Sequence, residues 1–282
     1  MISGTNTIVT AIYELYYDER RGGERYKSFD LLTHTISNLV KFDYKFIIYT
    51  DNKTYGMYDF SKFIRENVEI RFEELNSEYY LNTINPRKNE LFSIRDSYER
   101  CFSVNNYVEV IYNKIKWLLN EAKFSENVVW IDSGMFGTSC HDSWRDYLCN
   151  ICYRDSTFLD KIFEKIEKFK FISFLGTSIQ INYEISDWFS NSMGFGPKIV
   201  PGCLFGGKRE EVIKNLEEFY QIQEKLLFDT QYIYSEQEIL YACLKDKPCE
   251  FFEFGDWLDL QKAILKLIDQ YDENSYKINR WV

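Results

Sequence analysis

The chain has 282 residues, room for one large α/β domain or two small ones. Hydrophobic residues make up 45%, enough for a sizeable core, and 22 Tyr with 23 Phe leave rings to line a cleft as well as fill the interior. A formal net charge of −10 argues against duplex DNA and an anionic membrane surface as main partners. Any bound phosphate must then be met locally by Lys, Arg, a metal ion or a helix N-terminus.

Residues 1–6 carry no charged side chain and no basic region leading into an apolar stretch, so no secretory signal is expected there. No apolar run approaches the ~20 residues that span a bilayer, and the expected location is cytoplasmic. Seven cysteines in such a chain read as free thiols. Cys140, His141, Cys149 and Cys152 are spaced as zinc ligands can be, but the adjacent Cys140-His141 pair is a poor doublet, and buried helical thiols at 149 and 152 are the favoured expectation. No repeat, low-complexity tract or linker divides the chain. One domain is expected, with a first half over about 1–136 and a second half with a helical tail over about 137–282.

In chain order, residues 7–13 are β-branched and apolar, as a buried parallel strand should be. A polar loop over 17–25 carries Arg20, Arg21, Gly22, Gly23 and Arg25. Residues 26–40 place Phe29, Leu32, Ile36 and Leu39 at helical spacing, and 45–49 form a second strand ending at the turn signal Thr50-Asp51-Asn52. A short helix over 58–66 and a strand over 68–72 complete a βαβαβ opening, which favours a mostly parallel sheet with helices on both faces. Helices are expected over 91–102 and 108–122, then a central strand over 127–131. Further on, 158–169 reads as a helix, 170–175 as a strand, 199–205 as a strand ending in Gly206-Gly207, 209–227 as one long helix, 236–243 as a helix and 249–254 as a last strand. Residues 177–198 show no clear period, and the tail from 258 has helical spacing.

Ligands of open α/β sheets bind beyond the carboxyl ends of the strands. The strongest such place is Val128-Val129-Trp130-Ile131-Asp132-Ser133-Gly134. An acid directly after a buried strand is costly unless something pairs with it. A ribose or sugar hydroxyl, or a cation bridging two phosphates, would be such a partner; the plainer alternative is that Asp132 caps a turn. Small residues at Ser133 and Gly134 leave room for a close approach to the backbone.

Taken in order, Thr7-Ile8-Val9-Thr10-Ala11, Phe46-Ile47-Ile48-Tyr49-Thr50-Asp51, Lys114 on the helix leading to Trp130-Ile131-Asp132-Ser133-Gly134, Pro201-Gly202-Cys203-Leu204-Phe205-Gly206-Gly207 and Ser235-Glu236-Gln237-Glu238-Ile239-Leu240 resemble a GT-A glycosyltransferase, and within that fold the HtrL/YibB family of glycosyltransferase-like proteins. The resemblance spans about residues 7–257. It implies a GT-A-like α/β fold and Leloir-type transfer of a hexosyl or pentosyl group, from a nucleotide diphosphate sugar, a UDP-sugar by preference, to a glycan hydroxyl. It also implies that Thr10, Ala11 and Tyr13 line the nucleotide pocket with Asp51 beside them. Asp132 stands where the first acid of the Asp-x-Asp motif stands in such enzymes, while Gly134 replaces the second. Mn²⁺ or Mg²⁺ held at Asp132 is thus open to question. Without a metal, Lys114 and an arginine such as Arg25 would meet the leaving diphosphate.

Gly206-Gly207 resembles the acceptor-side loop of such enzymes, though an ordinary strand-to-helix turn would look the same. Ser235 suits an N-cap, Glu236 the acceptor hydroxyl and its proton, and Gln237 and Trp257 the acceptor's flanks, with Trp130 and Trp188 as further stacking rings. The plainer alternatives are a solvated Lys114, a first-turn Glu236 favoured by the helix dipole, and tryptophans that serve the core. His34, on an amphipathic helix, reads as structural. No G-x-S-x-G, H-E-x-x-H or P-loop pattern is present, so a serine hydrolase or zinc protease is not expected. The competing expectations are a sugar nucleotidyltransferase and a non-catalytic glycan-binding protein on a transferase fold.

Overall fold

Runs of β-branched and aromatic residues form the eight strands of one sheet in the computed structural model, which describes residues 5–14, 29–75, 105–136, 142–177, 198–230, 236–256 and 259–273. The strands are β1 (Asn6–Ala11), β2 (Lys45–Thr50), β3 (Val68–Phe72), β4 (Asn127–Ile131), β5 (Phe171–Thr177), β6 (Lys198–Ile199), β7 (Leu204–Lys208) and β8 (Glu250–Asp256). The described helices are α1 (Phe29–Leu32), α2 (His34–Leu39), α3 (Asn52–Met57), α4 (Asn105–Ala122), α5 (Asp142–Cys152), α6 (Thr157–Phe169), α7 (Arg209–Leu216), α8 (Phe219–Thr230), α9 (Glu236–Leu244) and α10 (Leu260–Leu267).

The sheet runs β3-β2-β1-β4-β7-β5, with β8 on the far edge of β5 and the two-residue β6 sharing the near edge with β7. β1 to β4 are parallel, and β8 is parallel to β5, whereas β7 runs against both of its neighbours. The expected α/β class, a mostly parallel sheet flanked by helices, is what the chain adopts.

Alternation along each strand sends successive side chains to opposite faces, and both faces are covered. Val9, Ala11, Ile47, Tyr49, Val128, Trp130 and Phe205 pack beneath α4, α7, α8 and α9. Ile8, Phe46, Ile48, Val129, Ile131, Ile172 and Phe174 pack on the other side beneath α2, α5, α6 and α10. This explains why the strands read as near-continuous apolar runs rather than alternating ones.

Several boundaries differ from the sequence expectations. The helix expected over 26–40 is divided at Thr33, whose hydroxyl turns back to donate to the Phe29 carbonyl at 2.8 Å; its first three residues lie outside the described segments. The helix expected over 58–66 is displaced: α3 begins earlier because the Asp51 carboxylate accepts from the Thr54 N–H at 2.6 Å, and only a short 3₁₀ turn (Ser61–Phe63) follows. The long helix expected over 209–227 is two, α7 and α8, separated at Glu217 and Glu218. The strand expected over 199–205 is likewise two, and β7 takes in Gly206 and Gly207 rather than ending at them. The expected helix over 91–102 and the residues Arg20, Arg21, Arg25, Cys140, His141, Trp188, Ser235 and Trp257 lie outside the described residues. No described helix is long and apolar enough to cross a membrane.

Candidate functional site

After β1 the chain moves outward through β2 to β3, then crosses back to add β4 on the other side of β1. The carboxyl ends of β1 and β4 therefore flank the point where the strand order reverses, the place where open α/β sheets bind ligands. Asp132 is the first residue beyond β4.

Asp132 is positioned by its own strand. Residues two apart on a strand share a face, so the Trp130 indole lies beside it and donates from Nε1 to Oδ1 at 2.7 Å. Trp130 is held in turn by rings on both sides, Trp117 of α4 at 6.1 Å and Phe205 of β7 at 6.5 Å between centroids. The Asp132 N–H donates to the Cys203 carbonyl at 2.8 Å. Beyond it, the Ser133 carbonyl accepts from Ile36 N–H at 3.0 Å and the Phe136 N–H donates to Thr35 Oγ1 at 2.9 Å, so α2 fixes the turn carrying Ser133 and Gly134.

The second element is α4, which packs on β1 and β4 and points Lys114 at the same corner. Lys114 is 6% exposed. Its Nζ lies 3.0 Å from Asp132 Oδ1 and 3.3 Å from Glu236 Oε1, and donates to the Gly202 carbonyl at 3.1 Å. An ammonium has three N–H groups, and these three acceptors occupy them. Lys114, expected as a phosphate ligand, is in this structure a strut between two carboxylates. Burial pushes its pKa down, but Asp132 and Glu236 more than reverse that, so it lies above the ordinary lysine value and the group is charged.

Glu236 opens α9 and is 2% exposed. Burial raises its pKa; Lys114 opposes the rise and Asp132 adds to it, leaving the carboxyl above the usual glutamate value. The side chain is turned inward against Lys114 rather than open to solvent, and the expected acceptor role finds no exposed carboxylate in this structure. Gly202 is the reason Glu236 fits: a Cβ there would lie 2.5 Å from Glu236 Oε1. Gln237 is half-buried, and its carbonyl accepts from Val200 N–H at 3.1 Å.

The remaining expected residues divide clearly. Gly206 and Gly207 lie inside β7, where an added Cβ would meet Val128 O at 2.3 Å and Lys170 O at 2.3 Å. They let three strands close up, and the acceptor-loop expectation is corrected because backbone fills the space a sugar would need. Trp130, 1% exposed and ring-packed, does not offer a stacking face. Thr10 and Ala11 are buried in β1, and Tyr13 stacks on Trp117 at 5.4 Å while its hydroxyl donates to the Glu73 carbonyl at 2.9 Å. Asp51 is the N-cap of α3.

What reaches solvent at this corner is Asp132, whose side chain is 31% exposed. Two donors fix one of its oxygens, so it presents a pre-aimed carboxylate suited to accept from a ligand hydroxyl. A resident Mn²⁺ or Mg²⁺ fits poorly. It would find the Asp132 carboxylate already paired with an ammonium 3.0 Å away, and among the described residues no group of three His, Cys, Asp or Glu side chains could hold a metal ion. The Lys114–Glu236 pairing across 122 residues and the part played by Gly202 carry no local sequence signal, whereas the Trp130–Asp132 contact follows from strand alternation.

No family model matches this chain, and no curated protein matches it. Among solved structures it is similar to mouse xyloside xylosyltransferase 1 in its apo form, with 6% identity over 88% of this chain and 84% of that one and a TM-score of 0.44. It is also similar to 4-diphosphocytidyl-2C-methyl-D-erythritol synthase from Anaerococcus prevotii, with 12% identity over 94% and 97% and a TM-score of 0.39. At those scores neither likeness bears on the chemistry of the corner.

Proposed function

We propose that the protein is a glycosyltransferase, moving a sugar from a nucleotide diphosphate sugar, a UDP-sugar by preference, to a hydroxyl of a glycan. The observation that carries this is the placement of Asp132, a fixed and partly exposed carboxylate immediately beyond the central strand β4, at the reversal of strand order. The order of the motifs, which resembles that of GT-A enzymes and of the HtrL/YibB family, supports the same reading.

In this mechanism Asp132 accepts from a hydroxyl of the donor, its ribose or its sugar, and so fixes the angle at which the glycosidic bond faces the acceptor. Lys114 and Glu236 act behind it as positioning residues. Lys114 also offsets the negative charge that Asp132 would otherwise set against a diphosphate. Charge growing on the leaving diphosphate needs donors beyond these.

The test is a panel of nucleotide sugars incubated with the protein and an oligosaccharide mixture, with Mn²⁺, Mg²⁺ or EDTA, read as release of nucleoside diphosphate. Turnover of one donor supports the proposal, and the EDTA lane reports whether an added ion matters. Release of pyrophosphate from a nucleoside triphosphate and a sugar phosphate would replace it with nucleotidyl transfer. Binding of glycan with no nucleotide turnover would replace it with a lectin-like role.

A further inference from the structure

Away from that corner, on the opposite face of the sheet, α2 and α5 bring together an imidazole and a thiol that are 115 residues apart: His34 Nε2 lies 3.2 Å from Cys149 Sγ. Both side chains are half-buried. The His34 ring makes an edge contact with Tyr153 at 5.6 Å between centroids, while Asn38 Nδ2 donates to the His34 backbone carbonyl at 2.7 Å within α2. Lys41 Nζ donates to the Tyr153 carbonyl at 2.6 Å, a further tie between α2's end and the end of α5.

The other described cysteines are differently placed. Cys152 and Cys203 are buried, burial pushes the Cys243 thiol up to about 12, and burial also raises Cys249. Cys149 lies in the last turn of α5, where the helix dipole by itself disfavours a thiolate, so an adjacent imidazolium is what would stabilise one.

We infer that Cys149 is a modification site, a thiol activated by His34 for oxidation by hydroperoxides. His34 takes the thiol proton, and the sulfur attacks the terminal oxygen of the hydroperoxide. The O–O bond breaks, the proton passes from His34 to the departing alkoxide or hydroxide, and the products are a sulfenic acid and an alcohol or water. The inference stands apart from the proposed transfer reaction. Its position gives it a consequence for that corner, because Thr35 and Ile36, the two residues after His34, hold the turn from Ser133 to Phe136. An oxygen added at Sγ enters the 3.2 Å contact and displaces the start of α2.

The experiment treats the intact protein with hydrogen peroxide at neutral pH, traps sulfenic acid with dimedone and reads each cysteine by mass spectrometry. The expected result is labelling of Cys149 about tenfold faster than in the same protein unfolded in urea, despite its partial burial, with Cys203 and Cys243 protected. His34→Asn should lower the Cys149 rate to that of the unfolded chain while Cys203 and Cys243 stay protected, which shows that the fold is kept. Slower labelling of Cys149 in the folded protein than in urea overturns the inference, without reliance on any variant. So does an unchanged rate in a folded His34→Asn.

Discussion

Replacing Lys114 with Met tests the buried corner most severely. The substitution keeps most of the side-chain volume and removes the ammonium that lies 3.0 Å from Asp132 and 3.3 Å from Glu236. Glu236 is then a buried carboxylate without its counter-charge, and the Gly202 carbonyl loses its donor. Breaking one side of a buried pair in this way costs about 3–5 kcal/mol. Urea unfolding at pH 7 should show that loss, and the double variant Lys114→Met/Glu236→Gln should recover a large part of it. The pH dependence has a definite sign. The folded-state pKa of Glu236 lies above its ordinary value of 4.5, so between the two values the folded protein holds this proton more tightly than the unfolded chain, and stability falls as pH rises through that window. Without Lys114 the folded value rises further, so the variant's deficit should be larger at pH 7 than at pH 5. A loss below about 1 kcal/mol, or a double variant no more stable than Lys114→Met alone, would refute the buried-charge account.

Three further variants probe the scaffold by the same unfolding measurement. Gly202→Ala puts a Cβ 2.5 Å from Glu236 Oε1, and the side chain must move, at a cost of about 1–3 kcal/mol together with lower activity from a displaced Lys114. Gly206→Ala meets Val128 O at 2.3 Å and Val129 Cα at 2.5 Å, backbone that cannot rotate away, so a larger loss or failure to fold is expected; near-wild-type stability would mean that β7 does not lie between β4 and β5 as described. Tyr49→Phe removes the 2.6 Å hydrogen bond to the buried Glu121 carboxylate and should cost about 1.5–3 kcal/mol.

The strands before Asp132 were legible because their periodicity is strong and both faces are buried, and β2, β3 and β4 match expectation to within a residue. The expectation at β7 failed because two glycines after an apolar run read as a loop, when their lack of Cβ instead serves close packing against β4 and β5. Asp51 as a cap could have been read from Asp51-Asn52-Lys53-Thr54, where the acid precedes its acceptor-seeking N–H by three residues. The place of Asp132 at the carboxyl end of β4 was visible from its position directly after a buried strand. Its link through Lys114 to Glu236 was not, because Lys114 lies 18 positions from Asp132 and 122 from Glu236 and the contacts depend on how α4 and α9 dock. A lysine or glutamate in a helix shows nothing in sequence of whether it points inward.

The central claim, that Asp132 positions a sugar-nucleotide donor, is tested most directly by comparing nucleoside diphosphate release by the wild type and Asp132→Ala at matched folded fractions. A drop in kcat/KM of about 10²–10³-fold is expected in the variant for whichever donor the wild type turns over. A variant that is folded and retains wild-type turnover would contradict it.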